Sequence, residues 1–192
     1  MFYFHPTPLS NYSEHAHYAK AFTPEECEKI KAMWSGGGIA RTQETGLSLL
    51  THLPSEVRKA KVSWLSFNQE TEWLFRKLHA YVHDVNFHRY HFDLSGFLEQ
   101  LQLTRYDEGD QYKWHQDNGT DVLSVRKLSL VLQLSAPEDY EGGTLEFLSG
   151  PNMACNQGDL ILFPSFNAHQ VQPITKGTRY SLVAWVSGPP YR

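Results

Sequence analysis

Cysteine is scarce in this chain: Cys27 and Cys155 are the only two among 192 residues. They allow at most one disulfide, which excludes a disulfide-stapled fold. The opening residues, MFYFHPTPLS, lack a basic segment followed by an apolar one, so no secretory leader is legible and two reduced thiols are expected. Long apolar runs are missing too, and with them any helical membrane span. Nor is there a block of one charge sign. Seventeen basic residues against 21 acidic ones give a net charge of −4, which argues against a general nucleic-acid binder. No repeat, low-complexity tract or linker divides the chain. The expectation is one domain over residues 1–192, soluble and cytoplasmic, with no membrane partner. What is abundant is aromatic side chains, 14% of residues, the mark of a β-rich core.

The periodicity changes near residue 96. Before it, helical spacing dominates, so residues 1–95 read as a helical lead-in and support. FTPEECEKIKAMWSGGG opens with a capping box, Thr23 as N-cap, Pro24 at the first helical position and Glu26 reaching back, and closes at Gly36. Cys27, Ile30 and Trp34 share a face. A second helix is predicted over 69–86, with Leu74, Leu78, Tyr81 and Val85 as its apolar stripe. From 96 to 192 the period is two. LEQLQLTRY (Leu98, Leu101, Leu103), KLSLVLQLS, GTLEFL, GDLILF and TRYSLVAWV are short strands separated by turns such as DYEGG and TKGT. The fold class expected is mainly β with N-terminal helices (α+β), a sandwich or jelly roll buttressed by helices.

Ten histidines invite over-reading. His15 and His17 lie in a polar stretch with no third partner, and His79 and His83 read as solvated residues of the second helix. His5, His52, His88 and His91 have no chemical company. His115 and Asp117, in YKWHQDNG, differ: they leave a strand two residues apart, so imidazole and carboxylate can converge. His169 begins a late strand that a jelly roll brings beside the early one. Two histidines and one carboxylate leave three coordination positions open, the arrangement of non-heme Fe(II) oxygenases. A structural zinc site would close its tetrahedron with four protein ligands, and the two cysteines are poorly placed for that. Arg179, ten residues after His169 (179 − 169), opens the next strand. A buried arginine needs a partner, and its fork suits the distal carboxylate of a dicarboxylate.

Taken together, YDEGDQYKWHQDNG, KLSLVLQLSAPEDYEGGTLEFL and GDLILFPSFNAHQVQPITKGTRYSLVAWV resemble the catalytic core of the iron(II)/2-oxoglutarate-dependent dioxygenases. More narrowly they are similar to the prolyl-4-hydroxylase-like branch and its bacterial and phage PKHD-type hydroxylases. The resemblance implies a double-stranded β-helix. It implies Fe(II) on His115, Asp117 and His169, and 2-oxoglutarate anchored by Arg179, with O2 as co-reactant and ascorbate as a candidate reductant. Tyr106 would face the cosubstrate, and Tyr112 and Trp185 would line the substrate pocket. Gln133 stands where animal oxygen-sensing relatives carry a tyrosine that helps to hold 2-oxoglutarate. Ser181, two residues beyond Arg179 on the same strand face, is a candidate donor to the same carboxylate.

The activity implied is hydroxylation of a C–H bond coupled to decarboxylation of 2-oxoglutarate to succinate and CO2. A prolyl residue in a protein or peptide is the first substrate expected; a free amino acid or small metabolite is the alternative. Asp117 favours hydroxylation over halogenation, which requires a small residue there. Nucleic-acid demethylases of the superfamily carry a second arginine six residues after the first, where this chain has Trp185. Substrate contacts are expected from the loops 36–55 and 117–127. A non-catalytic sandwich would have no need of an open three-position site.

Overall fold

The computed structural model describes residues 15–34, 57–150 and 156–190. Its elements run β1 (Ala16–Tyr18), α1 (Pro24–Lys31), β2 (Arg58–Lys59), β3 (Lys61–Leu65) and α2 (Glu72–Val85). There follow β4 (Leu101–Tyr106), β5 (Gln111–His115), β6 (Arg126–Gln133), β7 (Tyr140–Gly142), β8 (Leu145–Phe147), β9 (Leu160–Pro164), β10 (His169–Val171), β11 (Ile174–Gly177) and β12 (Arg179–Ser187). A six-stranded antiparallel sheet has the order β1-β9-β6-β12-β4-β3; a four-stranded one has the order β2-β5-β10-β8. β7 and β11 form a separate pair.

The period-two alternation sorts side chains into two cores. In β6, Leu128, Leu130 and Leu132 pack on one face of the large sheet with Leu160, Leu162, Leu182 and Ala184. The helices cover that face through Cys27, Ile30, Leu74, Leu78 and Val82. Val131, Ile161 and Phe163 face the other way and meet Leu145, Phe147 and Val171 of the small sheet. Both faces of β6 are therefore buried. The few polar residues on the inter-sheet face, Ser129 and Gln133 in β6 and Arg179 and Ser181 in β12, are buried as well. Burial of polar groups is costly without partners, which marks this strip as the place to look for chemistry.

The capping box of α1 forms as expected. The Glu26 amide donates to Thr23 Oγ1, and the Thr23 amide donates to Glu26 Oε2 at 2.8 Å. The helix ends at Lys31, short of the expected stop; Gly36 lies outside the described residues. α2 begins at Glu72 rather than 69. Thr71 is its cap residue, its hydroxyl donating to the Ser66 carbonyl, and a wide turn, Asn86–Tyr90, extends the far end. Val82 joins the buried stripe, while Tyr81 is only half-buried, its hydroxyl donating to the Ala21 carbonyl. Leu98, read as the start of a strand, is 56% exposed and precedes β4. The purely helical reading of the first 95 residues also needs correction. β1 and β3 form the two edges of the large sheet, and β2 an edge of the small one. Elements of two to five residues are too short to print a period on the sequence.

Cys27 is a buried free thiol; Cys155 lies outside the described residues, as do Phe2, Tyr3, Phe4 and the loop 36–55. Among the described residues no helix is long and apolar enough to cross a membrane.

Candidate active site

Register brings the predicted histidines together. His169 opens β10 and pairs with His115 at the end of β5 on one side and with Phe147 of β8 on the other. Asp117 follows two residues after β5. One ligand atom each from His115, Asp117 and His169 lie within 4.8 Å of one another, the only such group of three among the described residues. His115 Nδ1 is 2.8 Å from the Lys113 carbonyl and His169 Nδ1 is 2.9 Å from the Asn167 carbonyl. A carbonyl only accepts, so each Nδ1 carries a proton and each ring turns its Nε2 inward. The two Nε2 atoms lie 3.7 and 3.6 Å from the Asp117 oxygens, beyond hydrogen-bond range. Two ring nitrogens and a carboxylate thus converge without hydrogen-bonding one another, an arrangement suited to a cation.

Electrostatics agree. Burial, only partly offset by Asp117, pushes His115 down to about 4, so its ring is neutral at physiological pH. Burial alone would raise the Asp117 carboxyl. The imidazoles of His169 and His115, the Arg126 guanidinium and a hydrogen bond from Ser129 reverse that and hold it below the ordinary carboxylate range. Both groups stand in the protonation state that metal binding requires.

Asp117 is fixed by residues the sequence reading passed over. Its amide donates to the Ser165 carbonyl at 2.9 Å. Its carbonyl accepts from Arg126 Nη1 at 3.2 Å, and Arg126 is gripped bidentately by Glu99 and stacked 3.6 Å over the Trp185 ring. The signal that could have found Arg126 is a charge opening the leucine-rich strand RKLSLVLQ, since a strand buried on both faces must pair it. Arg126→Gln is expected to lower divalent-metal affinity about ten- to hundredfold, the usual cost of losing an outer support. Competition with a metal-indicator dye would measure it.

Arg179, at 2% exposure, opens β12 beside Tyr106, its guanidinium carbon 5.7 Å from that ring. Its Nε and Nη1 are buried without a hydrogen-bond partner among the described residues. Two orphaned, charged N–H groups facing the inter-sheet strip are what an anionic ligand would satisfy. Ser181 lies next on the same face, paired in register with Gln133 and Thr104. The Gln133 amide nitrogen donates to the Ser135 carbonyl and to Tyr140 Oη, while its oxygen has no partner among the described residues. Tyr112 stacks on His115 with ring centroids 3.4 Å apart, and the Arg58 guanidinium lies 4.8 Å from the Tyr112 ring. Trp185 is buried, and its indole N–H has no partner among the described residues.

The other histidines stay outside. His17 pairs with Asp159 at 3.0 Å, and His88 lies 3.3 Å from Asp84. His79 and His83 are exposed on α2 with ring centroids 6.5 Å apart. His5 and His52 lie outside the described residues.

Comparison with known proteins agrees with this geometry. Residues 101–187 match the model of the 2OG-Fe(II) oxygenase superfamily. A PKHD-type hydroxylase of Synechococcus sp. strain CC9902 is 40% identical over 98 residues, 50% of this chain and 44% of that protein. Another from Idiomarina loihiensis is 35% identical over 102 residues, 50% of this chain and 47% of that one. The chain therefore aligns with about half the length of these relatives. In fold, it superimposes on a Pseudomonas putida prolyl-4-hydroxylase with a TM-score of 0.70 at 18% identity, covering 93% of this chain and 94% of the other. A Trichoplax adhaerens prolyl hydroxylase, solved with a peptide fragment of hypoxia-inducible factor, gives 0.73 at 16% identity, covering 92% and 84%. These likenesses fit a mostly β fold with few helices of the double-stranded β-helix kind.

Proposed function

We propose, from the premise that residues 101–187 belong to the 2OG-Fe(II) oxygenase superfamily and resemble its PKHD-type hydroxylases, that this protein hydroxylates a C–H bond with Fe(II), 2-oxoglutarate and O2. The observation that carries the reading is the convergence of His115, Asp117 and His169, one ligand atom each within 4.8 Å of the others. These three would hold the metal, leaving three positions open for the 2-oxo acid and oxygen. Iron and 2-oxoglutarate, when bound, supply the oxidative decarboxylation to succinate and CO2 that drives hydroxylation.

The chain's own contributions are positional. Each imidazole is locked in one tautomer by a backbone carbonyl, and Asp117 is held by Ser165, Arg126 and Ser129. Arg179 would take the distal carboxylate, with Tyr106 beside it and Ser181 one step along the strand. Tyr112, stacked on His115, and Trp185, beneath Arg126, would meet the substrate. The jelly roll of residues 96–192 would form the catalytic core, with the segment before it as support, in one domain. A prolyl residue of a protein or peptide in the cytoplasm is the substrate proposed, with ascorbate as reductant. The peptide bound to the Trichoplax neighbour supports that choice.

The test is an anaerobic titration of metal-stripped protein with Fe(II) and then 2-oxoglutarate. A visible charge-transfer band that needs both additions is expected, followed by gain of one oxygen in prolyl peptides once air is admitted. Absence of the band would sink the reading. A band with peptides untouched but a free amino acid oxidised would move the substrate to the small-molecule class.

A further inference from the structure

We propose that the Tyr140 phenol is a second donor to the distal carboxylate of 2-oxoglutarate, beside Arg179, and that Gln133 holds it in place; this rests on reading the pocket as a 2-oxoglutarate site. Gln133 fixes the logic. The Ser135 carbonyl can only accept, so the amide end facing it at 3.0 Å is the nitrogen. That same nitrogen is 3.2 Å from Tyr140 Oη. With one hydrogen on Ser135 and the other on Tyr140, the phenol oxygen accepts from Gln133 and its own proton points elsewhere. No described residue takes that proton. The Gln133 oxygen, an acceptor buried without a partner, is not suited to face a carboxylate. Gln133 is thereby a positioning residue, and the carboxylate donor next to it is the phenol.

Gly143 explains how Tyr140 reaches the spot. It has φ +63°, and a Cβ built on it would lie 3.1 Å from Arg179 Cδ and 3.2 Å from Tyr140 Cε2. The phenol ring and the arginine stem close over this bare glycine from two different strands, β7 and β12. Tyr140 is half-buried, and its ring packs on the inter-sheet core. Two orphaned guanidinium N–H groups and one free phenol O–H match the several lone pairs that a carboxylate offers.

The experiment uses Mn(II)-loaded protein, so that no turnover is needed, and two ligands. 2-Oxoglutarate carries the distal carboxylate; 2-oxopentanoate has the same chelating end without it. Dissociation constants for both are read by quenching of tryptophan fluorescence, with melting temperature as a folding check. Tyr140→Phe keeps the ring and removes only the hydroxyl. It is expected to weaken 2-oxoglutarate roughly tenfold or more, as for loss of a hydrogen bond to a charged group, while 2-oxopentanoate binding stays the same. Gln133→Leu should cause a smaller loss of the same selective kind. Unchanged 2-oxoglutarate affinity in Tyr140→Phe, or equal losses for both ligands, would overturn the proposal. If the native protein did not prefer 2-oxoglutarate to 2-oxopentanoate, the pocket reading itself would fail and take the Tyr140 assignment with it.

Discussion

Asp117→Ala is expected to weaken Fe(II) binding well beyond the ten- to hundredfold typical of outer-support losses, and to abolish turnover, without unfolding the protein. The carboxylate is the one anionic group in the cluster, its oxygens 3.7 and 3.6 Å from the two inward-facing Nε2 atoms. Alanine leaves two neutral nitrogens, a poor site for a cation that favours oxygen. In the metal-free protein the surroundings favour the charged carboxylate, so the alanine variant should melt somewhat lower, a modest cost beside the loss of metal affinity. Asp117→Asn is the informative companion. It keeps an oxygen but sets an amide N–H against an imidazole lone pair, filling the site with a hydrogen bond where a cation belongs. Metal titration read alongside the melting curves of the apoproteins checks both halves. A destabilised alanine variant with metal affinity intact would mean that the aspartate is structural.

Arg179→Met should separate binding from stability, with opposite signs. Losing one partner of a buried charge-assisted contact costs about 2–5 kcal/mol, so 2-oxoglutarate should bind roughly thirty- to several-thousand-fold more weakly. Among the described residues, however, two nitrogens of the buried guanidinium have no hydrogen-bond partner. Removing a charge buried without a full set of partners relieves its desolvation cost. The ligand-free variant should therefore melt higher, by about 2–4 °C for each kcal/mol in a chain of this size. Scanning calorimetry with and without 2-oxoglutarate measures it: the native protein should gain from the ligand and the variant should not. A variant that melts lower in both states would show that Arg179 is satisfied within the fold.

How far these sites could be read from sequence depended on the kind of signal each left. The metal group was legible because His115 and Asp117 are local to each other, and because alternating strands place His169 predictably at a strand start. Arg179 was legible as a charge opening an apolar strand. By the same rule Arg126 should have been noticed, but its partner Glu99 lies 27 residues earlier, outside any period. Tyr140 was hidden for a different reason. DYEGG reads as turn chemistry, and nothing in it tells that Gly143, at positive φ, lets the Tyr140 ring and the Arg179 stem approach the same point. The edge strands β1, β2 and β3 were lost because two to five residues carry no measurable period, and their pairing comes wholly from partners far along the chain.

The division of labour between the two sheets has a mechanical consequence. His115 and His169 stand on the four-stranded sheet, and Arg179 stands on the six-stranded one. A ligand chelated at one end and clasped at the other would act as a rivet through both plates. The same joint that presents an oxidant to its target would then clamp the sandwich shut, and emptying it would leave the plates held by their apolar filling and the few polar ties around Asp117. Catalytic readiness and cohesion of the fold would rise and fall together with a single small dicarboxylic acid.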